Sequence, residues 1–332
     1  MSAEPVVEVK NLKVYFDIKQ ALGADLFSKG KKVLKAVDGV SFSIARGQIL
    51  SLVGESGSGK TTTGKAILQL VKPNAGQIRF FGEDIKPDDR RFMRQFRQKA
   101  QMIFQDPYQS VNPREIVMDI VAEPLDVNHL AKNSEDRMAR IKLALEHAGL
   151  VPPEDFYFRY PHELSGGQRQ RVVLAGSIIM EPSFIVADEP VSMLDASIRT
   201  GILRLLLELR DKRQLSYLFI THDLSLAWLI SDRIAIMYLG RIMEIGKADE
   251  IIHHGVHPYT RALTAIMPVP GANKRKQRIV LPGEIPNPIE EFQGCKFNTR
   301  CPLVKNICKT DCPEPIEIGK DHWVACHFAR EL

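Results

Sequence analysis

The chain contains 332 residues, and because 44% of them are hydrophobic it has ample material for a buried core and is not intrinsically disordered. Lysine and arginine number 45 against 40 aspartate and glutamate residues, and a net charge of +5 is too small and dispersed to indicate a nucleic-acid-binding protein. No apolar run approaches the roughly 20 residues of a membrane-spanning helix, and the N-terminal segment lacks the pattern of a secretory signal. We therefore expect a cytoplasmic protein that is soluble or peripheral to a membrane.

A glycine-rich turn follows the short apolar strand predicted at residues 49–53. It reads Gly-Glu-Ser-Gly-Ser-Gly-Lys-Thr from Gly54 to Thr61, which fits the phosphate-loop pattern in full, although it could also be a turn before an ordinary helix. Its glycines let N–H groups point at phosphate oxygens, and the following helix adds the positive end of its dipole. Lys60 is suited to bridge the β- and γ-phosphates, and Thr61 to ligate Mg²⁺. The predicted nucleotide site comprises Gly54, Glu55, Ser56, Gly57, Ser58, Gly59, Lys60, Thr61 and Thr62.

Little strand signal is visible from residue 86 to residue 180. Met138, Ile141, Leu145 and Ala148 recur there at helical spacing, whereas strands and helices alternate on either side of this segment. We therefore predict an α/β protein with a mostly parallel sheet and an inserted helical subdomain. The predicted domains are an α/β core at 1–85 and 181–252, the helical subdomain at 86–180 and a C-terminal extension at 253–332.

The segment Leu-Ser-Gly-Gly-Gln, which ends at Gln168, precedes another helical run. Ser165 is suited to cap that helix, while Gly166 and Gly167 leave open amides for a phosphate. The chain thus carries two anion-binding helix starts. Within one compact domain, the second helix start cannot easily reach a phosphate that is bound at the first. Two chains that face each other head to tail could instead bind ATP between the phosphate loop of one chain and the Leu-Ser-Gly-Gly-Gln segment of the other.

A buried strand predicted at residues 184–187 is followed by two carboxylates. Asp188 is suited to hold Mg²⁺, directly or through water, and Glu189 to polarise an attacking water. Taken alone, this segment could equally be two acids that end a strand without a catalytic role.

The phosphate loop, the Leu-Ser-Gly-Gly-Gln segment and the acidic strand end follow one another as in the ATP-binding subunits of ABC transporters, a family that this chain resembles. Gln105 is similar to the family's Q-loop glutamine, Asp195 to its D-loop aspartate and His222 to its switch histidine. The resemblance implies a P-loop NTPase fold of the ABC type and adenine stacking on Phe16, with Tyr15 as the alternative and an ordinary strand residue also possible.

The roles implied by this resemblance extend the predicted site. The catalytic set is Glu189, His222 and Gln105. The Mg²⁺ ligands are Thr61, Gln105 and Asp188. The further nucleotide contacts are Ser165, Gly166, Gly167, Gln168 and Asp195.

Three further segments resemble the dipeptide and oligopeptide importer branch: Ser110–Arg114, His257–Arg261 and Gly283–Pro286. The implied function is an ATPase that powers peptide uptake at the cytoplasmic face of the membrane. The implied partners are a second ATPase subunit, usually a paralogue, two separate permease subunits and an extracytoplasmic binding protein. Import of oligosaccharides or nickel is an alternative within the branch. A soluble ABC ATPase acting on DNA or ribosomes, and a nucleotide-binding regulator without turnover, are alternatives from other classes.

All five cysteines lie between Cys295 and Cys326, although a cytoplasmic chain rarely collects structural disulfides. Cys308 and Cys312 form the kind of close pair that occurs in zinc sites, while free thiols and a redox-labile disulfide are the alternatives. The importer branch resembled here implies more. In relatives, the pattern that Cys295, Cys301, Cys308 and Cys326 match holds a 4Fe–4S cluster, which would leave Cys312 spare and make zinc the alternative.

Overall fold

The computed structural model describes residues 4–18, 32–107, 109–267, 281–283, 286 and 293–332, so two residues of the Gly283–Pro286 segment lie outside the described residues. The chain divides into two compact units. The first unit comprises Met1–Val6, Ile44–Ile49 and Phe80–Ile220, and the second comprises Val7–Ser43, Leu50–Arg79 and Thr221–Leu332. The predicted boundaries of the core, the helical subdomain and the C-terminal extension differ from this division and stay predictions.

Strands and helices alternate along much of the described chain. The strands are β1 (Pro5–Ile18), β2 (Lys32–Ala45), β3 (Ile49–Val53), β4 (Ala75–Phe80), β5 (Glu83–Asp84), β6 (Ala100–Ile103), β7 (Phe184–Asp188), β8 (Ser216–Thr221), β9 (Arg233–Tyr238), β10 (Arg241–Lys247), β11 (Ile316–Gly319) and β12 (His322–Val324). The helices are α1 (Lys60–Ile67), α2 (Arg90–Lys99), α3 (Val117–Asn128), α4 (Ser134–His147), α5 (Gly166–Ile178), α6 (Ala196–Arg213), α7 (Leu224–Ile230), α8 (Ala248–His254), α9 (Pro258–Ala265) and α10 (Ile307–Thr310).

In the first unit, β7 lies between β6 and β8, and both pairs are parallel. All five residues of β7 are buried, as expected for a strand covered on both faces. The strand β6 lies inside the segment 86–180, in which the sequence shows little strand signal and which was predicted to be a helical subdomain. It escaped the sequence analysis because it is four residues long and only its two end residues are buried, so it shows no alternating pattern.

Helices α3, α4 and α5 share an apolar core within the same unit. The spacing predicted for α4 is confirmed, since Ile141, Leu145 and Ala148 are fully buried in this core, although Met138 is exposed. Asn133 caps α4 by accepting a hydrogen bond from the N–H of Asp136 at 2.8 Å.

In the second unit, β3 runs parallel to β9, β9 pairs with β10 in antiparallel fashion, and β12 and β11 follow on the far side of β10. The strand that leads into the phosphate loop therefore belongs to the same sheet as the last two strands of the chain. The C-terminal residues also share a core with this sheet. Tyr238 of β9, Tyr259 of α9 and Phe297 form a cluster with ring centroids 4.9–5.3 Å apart, which we call the aromatic trio.

Glu244 of β10 is a fully buried carboxylate that joins three C-terminal segments. It accepts hydrogen bonds from the N–H groups of Val256 at 2.8 Å and His257 at 2.9 Å, and its Oε1 lies 2.7 Å from Nε2 of His322 in β12. A buried carboxylate is tolerated only when its oxygens are satisfied in this way. The hydrogen bonds of this carboxylate therefore hold the turn at Val256 and His257, and the strand that contains His322, to β10.

None of the helices within the described residues combines the length and the apolar character needed to cross a lipid bilayer.

We predict that Glu244→Ala lowers the free energy of unfolding by about 3 kcal/mol, because it leaves two backbone N–H groups and an imidazole without their acceptor. Chemical denaturation measures the loss. Glu314→Ala, which removes an exposed carboxylate from the same unit, is the matched control and should change stability by no more than about 0.5 kcal/mol. Equal stability of the two variants would show that Glu244 does not hold these segments together.

Candidate nucleotide-binding site

The predicted site residues fall into two groups, one in each unit. The second unit contains the phosphate loop, the two candidate aromatic residues of β1, His222 and the cysteines. The first unit contains Gln105, the Leu-Ser-Gly-Gly-Gln segment, the two strand-end acids and Asp195.

The phosphate loop joins β3 to α1 and owes its shape to glycine. Gly57 and Gly59 have positive φ values of 76° and 102°, which residues with a Cβ atom rarely adopt. A Cβ atom at Gly59 would lie 2.1 Å from the carbonyl oxygen of Ala36, and one at Gly54 would lie 2.1 Å from that of Met237. Gly54 and Gly59, two of the glycines predicted to curl the backbone around phosphates, are thus also required by the close approach of neighbouring strands, whereas a Cβ atom at Gly57 would have no neighbour within 4 Å.

Lys60, the predicted phosphate ligand, is the first residue of α1 and is only 6% exposed. Its ammonium group donates hydrogen bonds to the carbonyl oxygens of Gly54 at 2.8 Å and Glu55 at 2.9 Å. The cation therefore lies across the loop at the N-terminal end of a helix, where helix dipole and backbone N–H groups favour an anion.

Two C-terminal residues, to which the sequence analysis assigned no role at the nucleotide, contact Glu55 of the loop. Arg300 donates from Nη1 to Oε2 of Glu55 at 2.8 Å, and the hydroxyl of Tyr259 accepts from the N–H of Glu55 at 3.2 Å. Both residues are more than 200 positions away from Glu55 in the chain, 245 in the case of Arg300 and 204 in that of Tyr259. The sequence carried no local signal of these contacts.

The two candidate aromatic residues of β1 differ in what their side chains contact. The Tyr15 hydroxyl donates to Oδ1 of Asp38 at 2.7 Å, and burial together with this carboxylate raises the pKa of Tyr15 to about 12. The neighbouring Phe16 is 40% exposed. Phe16, which was preferred over Tyr15 for adenine stacking, is thus the more accessible of the two rings.

His222 lies in the turn between β8 and α7 and is exposed. The next residue, Asp223, caps α7 by accepting hydrogen bonds from the N–H groups of Ser225 at 2.8 Å and Leu226 at 3.2 Å. The cap fixes the backbone beside the histidine.

In the first unit, the acids at the end of β7 differ in environment. Asp188 is 3% exposed, whereas Glu189 follows the strand with a positive φ of 46°. The N–H of Glu189 donates to the carbonyl oxygen of Ile220 at 2.9 Å, and Oε2 of Glu189 accepts from Nε2 of Gln105 at 3.1 Å. The structure thus brings together Gln105 and Glu189, two of the three residues predicted to be catalytic.

Ser165 caps α5 as predicted. Its hydroxyl accepts from the N–H of Gln168 at 3.3 Å, and the Gln168 side chain accepts from the N–H of Ser165 at 3.0 Å, which forms a capping box. A Cβ atom at Gly167 would lie 2.6 Å from Cγ2 of Ile198, whereas one at Gly166 would come no nearer than 3.8 Å to Leu194. Gly167 is therefore needed for packing against α6, and Gly166 is not.

Two arginines hold the loops that contain predicted site residues, and sequence analysis missed both. Arg169 is buried and donates from Nε to the carbonyl oxygen of Pro161 at 3.0 Å, just before the Leu-Ser-Gly-Gly-Gln segment. Arg199 donates to the carbonyl oxygen of Leu194 at 2.7 Å, beside Asp195, which is the N-cap residue of α6 and is exposed.

All five cysteines are free thiols, and four of them line a common cavity that the fifth does not line. Cys295, Cys301, Cys308 and Cys326 line one cavity of about 20 Å³, and Cys312 does not line it. Instead, Sγ of Cys312 contacts the guanidinium group of Arg241. Burial raises the pKa of Cys295 to about 12 and raises the pKa values of Cys301 and Cys326 as well.

Among the described residues, no group of three His, Cys, Asp or Glu side chains is arranged to hold a metal ion. Thr61, Gln105 and Asp188 nevertheless offer the hydroxyl, amide and carboxylate oxygens that suit Mg²⁺. The four cysteines offer sulfur ligands, which iron–sulfur clusters and zinc bind once the thiols have lost their protons.

Comparison with known proteins identifies the family to which the chain belongs. The profile of the ABC transporter family matches residues 37–192, and that of the oligopeptide/dipeptide transporter C-terminal region matches residues 243–308. A solved structure of the ATP-binding cassette MJ0796, a dimer in a post-hydrolysis state bound to ADP and Pi, is similar with a TM-score of 0.63 and 28% identity, and the match covers 73% of this chain and 98% of that one.

Two full-length relatives are more similar in sequence. AppF of Bacillus subtilis, an oligopeptide transport ATP-binding protein, is 44% identical over 98% of each chain. OppF of Salmonella typhimurium, also an oligopeptide transport ATP-binding protein, is 43% identical over 97% of this chain and 95% of its own length. The chain therefore belongs to the ABC transporter ATPases, in the branch of the oligopeptide transport ATP-binding proteins.

Proposed function

We propose that this chain hydrolyses ATP to power import of dipeptides or oligopeptides through separate membrane permease subunits. The names of AppF and OppF support peptide as the cargo over oligosaccharides or nickel. The observation that carries hydrolysis is the pair formed by Gln105 and Glu189 at the end of β7. It favours turnover over a regulator that only binds nucleotide.

We assign ATP binding to the phosphate loop and its neighbours. Lys60 and the N–H groups at the start of α1 bind the β- and γ-phosphates, since both present positive charge there. Phe16 stacks on adenine, because its ring is exposed while the Tyr15 hydroxyl is bound to Asp38. Mg²⁺, held by Thr61, Gln105 and Asp188, would neutralise phosphate charge.

Glu189 is the group that polarises the attacking water. The hydrogen bond from Gln105 orients its carboxylate, and the left-handed backbone turns the residue out of the direction of β7. His222 senses the γ-phosphate from the turn after β8.

We infer that a second ATPase subunit, most simply a paralogue, completes each site. Ser165 and Gly166 begin α5, and a hydroxyl that already accepts from Gln168 can still donate its proton to a phosphate. Gln168 holds this turn in shape through the capping box, and Asp195 is exposed at the start of α6, where a partner can reach it. The dimeric MJ0796 cassette supports this arrangement by similarity.

The remaining partners follow from the branch. Two permease subunits and an extracytoplasmic binding protein complete the importer, and the chain lies at the cytoplasmic face of the membrane as a peripheral subunit. Nucleic acid is not a partner.

We also infer that the C-terminal cysteines hold a 4Fe–4S cluster. Four cysteines line one cavity that the fifth does not line, which matches the four thiolates that such a cluster takes. A cluster binds each thiolate to a different iron, so the sulfurs need not converge on one point as they must around zinc. Its role is structural, because it would tie together a segment with little regular secondary structure.

Glu189→Gln should retain ATP binding but lose turnover by a factor of about 10² to 10⁴, because the water loses its general base. The variant should also accumulate as an ATP-bridged dimer, which size-exclusion chromatography detects. Lys60→Ala is the matched contrast, since it should weaken ATP binding itself. Near-normal turnover of Glu189→Gln would remove this residue from the role.

Gly166→Asp should abolish the ATP-bridged dimer when it is added to Glu189→Gln, because the new carboxylate repels the partner's phosphates. The substitution has room at Gly166, and an acid in the first turn favours the helix, so folding should be retained. When this chain carries Gly166→Asp and is paired with an unaltered paralogue, photo-crosslinked nucleotide should be lost from the phosphate loop of the paralogue. Loss confined to the loop of this chain would contradict a shared site.

Anaerobic purification should yield a brown protein with about four irons per chain. Cys301→Ser should bleach it, whereas Cys312→Ser, the matched control, should leave the iron content unchanged because Cys312 does not line the cavity. Colourless protein containing zinc, or equal loss of iron in both variants, would overturn the assignment.

A further inference from the structure

We propose that Arg300, together with Tyr259, is a positioning residue for the phosphate loop, so that order in the segment containing Arg300 and the affinity for nucleotide are linked. We call residues 293–312 the cysteine segment. The inference rests on the proposed nucleotide site, which it extends to residues outside the ATP-binding motifs.

The first contact is a shielded ion pair. The side chain of Arg300 is 10% exposed and that of Glu55 is 26% exposed, and Nη1 lies 2.8 Å from Oε2. The guanidinium carbon of Arg300 also lies 5.9 Å from the ring centroid of Tyr238. Because little water reaches this pair, it restrains Glu55 more strongly than an exposed pair would.

The second contact fixes the backbone of the same residue. The N–H of Glu55 donates to the hydroxyl of Tyr259, a fully buried residue whose ring belongs to the aromatic trio. The carbonyl oxygen of Glu55 in turn accepts from Lys60 at 2.9 Å. A displacement of Glu55 therefore moves an acceptor of the Lys60 ammonium group, which binds phosphate in the proposed site.

Arg300 has its own support in the cysteine segment. Its N–H donates to the carbonyl oxygen of Phe297 at 3.1 Å, and the N–H of Cys295 donates to that of Cys308 at 2.9 Å, which closes the segment around Arg300. Cys301, one of the four cysteines that line the cavity, is the next residue. Whatever orders these cysteines also holds Arg300 at Glu55.

Linkage of this kind is reciprocal. If an ordered cysteine segment favours the loop geometry that binds nucleotide, bound nucleotide must favour an ordered segment by the same factor.

Titration of the full-length chain with MgADP tests the first direction. Arg300→Gln and Glu55→Gln should each raise Kd about fivefold or more. The double variant should be no weaker than the weaker single variant, because both changes remove one ion pair. For Arg300→Gln, kcat at saturating ATP should stay within about twofold, since lost binding energy raises KM alone. Lys305→Gln, whose side chain in the same segment is 61% exposed, is the control and should bind normally.

Hydrogen exchange tests the reverse direction and separates positioning from stability. MgADP should slow exchange of amides in residues 293–312 of the unaltered chain and should protect them far less in Glu55→Gln, a change made outside that segment. Should Arg300→Gln fail to fold, Glu55→Gln alone decides the question. Additive effects in the double variant, or equal protection with and without the Glu55 carboxylate, would overturn the inference. Failure of the unaltered chain to bind MgADP would overturn the proposed function as well.

Discussion

The phosphate loop lies so close to two other stretches of backbone that no side chain fits at Gly54 or Gly59. The obstructing atoms are the carbonyl oxygens of Met237 in β9 and Ala36 in β2. The turn after β9 adds a direct bond, since the N–H of Gly240 donates to the carbonyl oxygen of Ser58 at 2.9 Å. The loop is therefore shaped by strands packed against it, and its capacity to bind an anion is a property of the second unit as a whole.

In the first unit, Glu189 adopts a backbone conformation that is costly for a residue with a side chain. A glutamate in the left-handed region is less stable by about 1–2 kcal/mol. At Glu189 this cost is offset by the hydrogen bonds to Ile220 and from Gln105. Residues held in such conformations are concentrated at active sites. The catalytic role that the place of this acid at the end of β7 suggested stays a prediction.

What the sequence predicted well was local. The phosphate loop and the Ser165 cap are short patterns in which each residue acts on neighbours a few positions away, and strand or helix context completes them. The contacts of Arg300, Tyr259 and Glu244 were not predictable in this way, because each joins positions far apart that no periodicity relates. Cysteine spacing was ambiguous for the same reason. Cys308 and Cys312 are close in sequence, yet the fold shows that Cys312 contacts Arg241 and does not line the cavity that the other four share.

The distance in sequence between Glu55 and Arg300 also has a consequence for biosynthesis. The two residues are 245 positions apart, so at about 5–20 residues per second roughly 10–50 s pass between their addition to the growing chain. Throughout that interval β3, the loop and α1 exist without the cation that fixes Glu55. A ribosome-bound chain thus carries every residue of the ATP-binding motifs before the loop has its mature geometry. If Arg300 positions the loop as proposed, the affinity of the ribosome-bound chain for nucleotide rises only after the cysteine segment has emerged and packed.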